Sequence, residues 1–221
     1  MIELKVIYEL ARLNSGMSDI ERLTNIYAFL SSQVDLNVEG DVVEVGCNAG
    51  YTSAFMSLVL KHHDTSGTKT LHVYDSFQGL PVAGKLDSYL QDTDLAVNPQ
   101  SVIDICDSFK APLPTIHEGW FEDTLPCELP ETISFAYLDG DYESSIYTSL
   151  KYVYPRLAHG GIIIVDDYCD LEKAPRSWDG LPGVKAACDR FAKENNIKIN
   201  SLIGSNDLSF GMIRKLYSHG K

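Results

Sequence analysis

Two apolar runs in this chain end in carboxylates. FAYLDGDY (135–142) carries Asp139, and GGIIIVDDY (160–168) carries the pair Asp166–Asp167. Each run has the composition of a buried parallel strand, and an open α/β sheet gathers its ligands at the carboxyl ends of its strands. Two neighbouring strand ends would therefore bring three acids to one point. Like charges held together in a crevice are costly unless a cation sits among them, and all-oxygen ligation with room for water suits magnesium. A lone Asp at a strand end is as often a helix cap or turn former. Three at two matched ends shift the expectation to a metal site with Asp139, Asp166 and Asp167 as ligands. Asp141, two residues past Asp139, is a candidate proton acceptor or a further metal contact.

A second constellation lies upstream, in VVEVGCNAGYTS (42–53). Gly46 and Gly50 sit between a strand and a helix, where backbone without a Cβ can approach a ligand. The turn lacks the three glycines of the full dinucleotide pattern and is a weak signal alone. Asp75 ends the next strand, where a carboxylate can accept from both hydroxyls of a ribose, although it would serve equally as a turn cap. Together the strand spacing, the glycines and Asp75 predict an adenosine-containing cofactor.

The elements that must position these residues alternate. Helical spacing over 19–34 (Ile20, Leu23, Tyr27, Leu30, Val34) feeds a strand at Asp41–Val45. A helix over about Thr52–Leu60 and a strand at Thr70–Asp75 complete a right-handed βαβ unit. From Ser76 to Thr115 the pattern loosens, with one helical stretch near Gln100–Phe109; so long a connection is usually a lid or recognition insertion. Strands at Ile133–Leu138 and Ile162–Val165 flank a helix near Ser144–Leu157, and a last helix covers about Val184–Asn195. Strands near Lys198–Ile203 and Leu208–Arg214, joined by Gly-Ser-Asn-Asp, suit a hairpin whose last strand runs antiparallel in an otherwise parallel sheet.

With 221 residues, 44% of them apolar and 22% charged, the chain reads as one globular domain with a substantial core. Its longest purely apolar run, Ile162–Val165, is too short to span a bilayer, and the N-terminus has no signal-peptide pattern; a soluble, cytoplasmic protein is expected. Five cysteines without paired spacing indicate neither a zinc site nor a disulfide framework. A net charge of −13 argues against nucleic acid or an anionic membrane as partner and favours a small molecule. A homo-oligomer is compatible with all of this.

Six segments carry a resemblance: VEVGCNAG, VYDSFQGLP (73–81), EGWFEDTLP (118–126), AYLDGDYESS (136–145), YPRLAHGGIIIVDDY (154–168) and GVKAACDRF (183–191). From about Met17 to the last strand the chain resembles the macrocin O-methyltransferase family, sugar methyltransferases of macrolide and aminocoumarin tailoring. The DSFxGLP and LDGD blocks are specific. LDGDYESS is one residue shorter than the common spelling, and the glycine turn departs after its last glycine, so substrate identity transfers less well than cofactor.

The resemblance implies a Rossmann-like class I methyltransferase: a seven-stranded, mostly parallel sheet with an antiparallel last strand and helices on both faces, with residues 1–37 as an N-terminal helical cover and 80–115 as the substrate-recognition insertion. It implies S-adenosylmethionine as cofactor and magnesium as metal. Glu44 and Gly46, with Cys47, Asn48 and Gly50, would then line the methionine end. Asp75 would hold the ribose, with Ser76, Phe77 and Gly79 beside the adenosine and Glu118, Gly119 and Trp120 near the adenine. Met17 and Ser101 are expected at the edges of the site. Asp139 and Asp141 would be the catalytic pair, with two vicinal hydroxyls of a sugar or glycosylated natural product held at the metal and one of them methylated.

Some relatives take a base histidine from the insertion; this insertion contains none. His62, His63, His72, His117, His159 and His219 all lie elsewhere, and His117 is expected on the surface. The insertion acids and amides Asp87, Asp92, Asp94 and Asn98, with Tyr89 and Gln91, are expected to face a glycoside. Three other readings remain: a catechol or phenol O-methyltransferase with a narrow aromatic pocket, a nicotinamide-dependent oxidoreductase, and a non-catalytic binding module.

Overall fold

Helices with one apolar face and strands apolar on both can bury their surfaces together only in layers. The chain does so in a computed structural model, which describes residues 4–216; residues 1–3 and 217–221, with His219, lie outside the described residues. In chain order the elements are α1 (Leu4–Leu13), α2 (Ile20–Asp35), β1 (Asp41–Val45), α3 (Tyr51–His63), β2 (Leu71–Asp75), α4 (Gln100–Phe109) and β3 (Thr115–Glu118). Next come α5 (Phe121–Glu128), β4 (Ile133–Leu138), α6 (Glu143–Arg156), β5 (Leu157–Val165), α7 (Pro182–Asn195), β6 (Asn200–Leu202) and β7 (Phe210–Arg214).

The strand order is β3-β2-β1-β4-β5-β7-β6. The first five strands pair in parallel, and β7 runs antiparallel to both β5 and β6, as expected for the last strand. Alternate residues of each central strand enter different cores. Val42, Val73, Phe135, Tyr137, Ile162 and Ile164 pack with α1 to α4. Val43, Val45, Ala136, Leu138, Ile163 and Val165 pack with α5 to α7. Burial on both faces is why these strands read as continuous apolar runs.

The chain leaves β1 toward β2 on one side and meets β4 on the other, so the carboxyl ends of β1 and β4 flank the switch point where such sheets open a crevice. Gly46 is obligatory there. Its φ is +89°, and a Cβ would stand 1.8 Å from the Asp139 carbonyl oxygen, so only glycine lets the two strand ends close. Gly50 likewise packs its Cα against Val102 of α4, which docks the insertion onto α3.

α5, which contains Pro126, lacks a counterpart in the sequence-based outline, whereas α1, which buries Ile7 and Leu10, falls within the 1–37 segment expected as a helical cover. The insertion is irregular apart from α4, yet it is tied down: Asn48 Nδ2 donates to Leu95 O at 3.0 Å and Leu80 N to Asp94 O at 3.0 Å.

Candidate active site

Leu138 and Val165 are register partners, so the residues after them emerge side by side. Asp139 N donates to Val45 O at 2.8 Å and Asp166 N to Leu138 O at 2.9 Å. One carboxylate oxygen from each of Asp139, Asp166 and Asp167 lies within 4.8 Å of the others, as the spacing of the two strand ends predicts. Burial first, and then the neighbouring carboxylates led by Asp166, hold the Asp139 and Asp167 carboxyls well above their ordinary range. Asp141 is pushed up to about 7 by burial, with Asp166 and Asp75 adding to it. Three converging carboxylates, all hard oxygen donors, fit a divalent cation of the magnesium kind.

One cation of the chain already answers them. Arg22, in the first turn of α2, donates from Nε to Asp166 Oδ1 at 3.1 Å and from Nη2 to Asp167 Oδ1 at 3.2 Å. The Tyr137 hydroxyl donates to Asp166 Oδ2, and Asp167 N to Asp166 Oδ1 at 2.8 Å. Asp166 is thus both a metal candidate and the hub that fastens α2 to the sheet. Neither Arg22 nor Tyr137 is legible as a site residue, because their partners lie 144 and 29 positions away. The one local sign is the capping Asp19, whose Oδ1 accepts from Arg22 N at 2.7 Å and so sets the angle at which Arg22 leaves the helix.

A cavity of about 660 Å³ runs from these acids to the β1–β2 end. Of the residues expected at the cofactor, Met17, Gly46, Asn48, Asp75, Ser76, Gly79 and Trp120 stand on its wall. Asp75 receives Asn48 N at 2.8 Å and Phe77 N at 2.8 Å, one on each carboxylate oxygen, which aims it while leaving lone pairs for a ligand. Ser18 Oγ, also on the wall, is buried without a hydrogen-bond partner.

The remaining expected residues are placed elsewhere. Cys47 and Phe77 are buried in the core, Gly50 caps α3, and Ser101 Oγ bonds Asn98 O at the start of α4. Glu118 is exposed, and Gly119 N bonds Asp75 O at 2.9 Å. No described histidine is on the wall. His117 stacks on Tyr74 and bonds His72 and Glu128.

Glu44 is fully buried beneath the turn. Ser53 Oγ donates to its Oε2, its Oε1 has no partner, and burial pushes its carboxyl up to about 8. Its effect on stability has a definite sign. Between the ordinary value near 4.5 and about 8 the folded protein holds a proton that the unfolded chain releases, so stability falls as pH rises across that window. Glu44→Gln is expected to remove this slope and to stabilise the protein at pH 8 by on the order of a few kcal/mol. Urea midpoints of both proteins at pH 5 and pH 8 check it; an unchanged slope in the variant would assign the pH dependence to other groups.

At the acceptor end the insertion behaves differently from expectation. Asp92 Oδ1 accepts Ala83 N, Asp94 Oδ2 accepts Gln91 N, and Asn98 Oδ1 accepts Gln100 N, so these side chains hold the loop's own backbone. Of the insertion residues expected to face a glycoside, Tyr89 alone lines the cavity, edge to face with Trp178 at 5.1 Å between ring centres. Serines and a threonine of α6, Ser144, Ser145 and Thr148, supply polar wall beside Asp141.

Comparison with known proteins identifies the family and the fold. The family model described as Macrocin-O-methyltransferase (TylF) matches residues 9–202. The chain is 34% identical over 167 residues to the demethyldecarbamoylnovobiocin O-methyltransferase of Streptomyces niveus, covering 69% of this chain and 62% of that protein. It is 30% identical over 168 residues to the 8-demethyl-8-(2,3-dimethoxy-alpha-L-rhamnosyl)-tetracenomycin-C 4'-O-methyltransferase of Streptomyces olivaceus, covering 69% and 62%. The chain thus spans less than two thirds of the length of these relatives. Among solved structures, the O-methyltransferase NovP matches with a TM-score of 0.76 and 29% identity over 91% of this chain and 82% of that one. The fold is the class I methyltransferase fold. With one family model running through the glycine turn, the insertion and both acid-bearing strands, the chain belongs to the macrocin O-methyltransferase family.

Proposed function

We propose that this protein is an S-adenosylmethionine- and magnesium-dependent O-methyltransferase that methylates one hydroxyl of a vicinal diol on a sugar of a glycosylated natural product. The observation that carries this reading is the convergence of Asp139, Asp166 and Asp167 on a cavity whose wall also holds Gly46 and Asp75. Family membership supports the reaction class, and the rhamnosyl group in the name of one relative supports a sugar acceptor.

Bound there, S-adenosylmethionine supplies an electrophilic methyl group and magnesium supplies charge that favours the deprotonated acceptor oxygen. The chain's own residues do the rest. Asp75 orients the cofactor's ribose, and Asp139, Asp166 and Asp167 hold the metal. Asp141 accepts the acceptor's proton: it is half-buried, stands on the wall, and its carboxyl lies near 7, where a general base works best at neutral pH. Arg22, on the cavity wall, and the buried Tyr137 orient Asp166 and Asp167, as hydrogen-bonded partners of metal ligands do.

Asp75→Ala is expected to weaken S-adenosylmethionine binding by about 30-fold to 150-fold, or about 2–3 kcal/mol, for the loss of a two-pronged charge-assisted contact. Calorimetry with the cofactor and its demethylated product checks this. Binding of a nicotinamide cofactor in place of both would sink the methyltransferase reading.

A catechol or phenol acceptor is the second reading, favoured by the aromatic pair Tyr89 and Trp178 on the acceptor wall. The deciding experiment is transfer of labelled methyl from S-adenosylmethionine to a panel of sugars, glycosylated natural products and catechols, with and without chelator. Turnover of glycosides alone, lost with chelator, supports the first reading; turnover of catechols alone supports the second.

A further inference from the structure

Gly84 to Tyr89 form the tip of the insertion, and every one of these residues is exposed except Asp87, which is 2% exposed. A carboxylate buried at the tip of a solvated loop needs partners that repay its desolvation. Asp87 Oδ2 accepts Gly84 N at 3.1 Å within the loop, and Oδ1 accepts Glu143 N at 3.1 Å at the first residue of α6. The residue at the cap position of α6, Tyr142, provides no side-chain hydrogen bond of its own. At the start of α7, Leu181 likewise gives no capping bond, and Gly183 lies so close that a Cβ there would stand 2.0 Å from Asp87 Oδ1 and 3.1 Å from Glu143 N. The carboxylate therefore sits where two helices present their positive ends, and no described side-chain cation pairs with it.

The three segments that meet at this point are also three walls of the acceptor end. Leu80, Pro81, Tyr89 and Leu90 come from the insertion, Asp139, Asp141, Ser144 and Thr148 from the end of β4 and the start of α6, and Trp178 and Leu181 from the approach to α7. Glu143 is two residues past Asp141. Without Asp87 the insertion tip loses its hydrogen bond to α6, and the start of α6 loses the side chain that caps it.

We propose that Asp87 is a positioning residue, a latch whose carboxylate fastens the insertion to the paired starts of α6 and α7 and so fixes the acceptor end relative to Asp139 and Asp141. Its effect on the acceptor rests on the methyl-transfer reading; the latch itself does not. In this view Gly183 is required because any side chain would fill the latch's seat, and the negative charge of Asp87 serves the helices and not the substrate.

Hydrogen exchange on the full chain tests the latch without any turnover. Asp87→Ala is expected to speed exchange of the 80–95 amides and of the Glu143 amide together, by tenfold or more, while amides of β1 and β4 keep their rates. Asp87→Asn keeps the side chain's shape and one carbonyl acceptor, and should fall between wild type and Asp87→Ala; it also serves if the alanine variant does not fold. Asp92→Ala, which removes a cap internal to the loop, should leave Glu143 protected.

Affinity for S-adenosylhomocysteine, read by calorimetry, should stay within about threefold of wild type. For whichever acceptor the panel identifies, KM should rise tenfold or more in Asp87→Ala, with a smaller change in kcat and partial rescue in Asp87→Asn. A loosened loop with Glu143 still protected would overturn the latch. So would loss of S-adenosylhomocysteine binding with faster exchange throughout, which would make Asp87 an ordinary fold residue. If no acceptor is methylated, the exchange and calorimetry still decide.

Discussion

Asp139→Asn is expected to yield a folded protein that binds S-adenosylmethionine as tightly as wild type and transfers no measurable methyl group. In the proposed mechanism the metal would serve the acceptor oxygen, so losing a ligand should cost on the order of 10³-fold or more in turnover. In the proposed reading cofactor affinity depends on Asp75, which ends β2 two strands away from β4, and should change little. The same substitution has a second, opposite signature in metal-free protein. The Asp139 carboxyl is held well above its ordinary range by burial and by Asp166, so ionising it costs stability, and the neutral amide removes that cost. A rise of several degrees in the chelated protein's Tm at pH 8 is expected, since each 1 kcal/mol is worth about 2–4 °C in a chain of this size.

Asp166→Asn should also abolish turnover but lower Tm, because it weakens the acceptor of Arg22 Nε and of the Tyr137 hydroxyl. Opposite shifts in Tm from two substitutions with the same loss of activity separate ligand from hub. Normal methylation by Asp139→Asn, or full wild-type activity in chelator, would reduce the three acids to turn and cap residues.

Asp141→Asn is expected to slow the chemical step by about 10²–10⁴-fold, the usual worth of a general base. Asparagine is the informative replacement because Asp141 has φ +58°, a left-handed conformation that Asn tolerates better than Ala does. The backbone around Asp139 then stays in place, and magnesium affinity should change far less than the rate. Single-turnover kinetics separate the two: a loss confined to the methyl-transfer step supports the base, whereas a parallel loss of metal affinity would move Asp141 into the ligand set. In wild type the rate should rise with pH as Asp141 ionises, and the variant should lose that limb of the profile.

The buried strands β1, β2, β4 and β5, the antiparallel last strand, the three converging acids and the place of Asp75 at the end of β2 were legible in the sequence for one physical reason. A parallel sheet buried on both faces writes its strands as unbroken apolar runs, and its ligands must come from the residues that end them. The residues just past Leu138 and Val165 are therefore placed by the strands themselves. α5 was not legible, because it carries a proline in its last turn, and the bounds of α1 within the expected helical cover were not either, because it buries only a short stripe around Ile7 and Leu10.

Charge pairing across long separations was equally hidden. Nothing around Arg22 announces Asp166 and Asp167, and nothing around Asp87 announces Glu143. The insertion acids read as a polar face for a substrate because an isolated carboxylate in a loop has no visible partner in one dimension. In three dimensions backbone N–H groups claim Asp87, Asp92 and Asp94, and what the insertion gives the cavity wall is Tyr89 with the apolar Leu80, Pro81, Leu90 and Leu95. Strand burial is a local property repeated along the chain and survives in the sequence; the choice of partner for a carboxylate depends on which amide the completed fold brings within about 3 Å, and only the tertiary structure decides that.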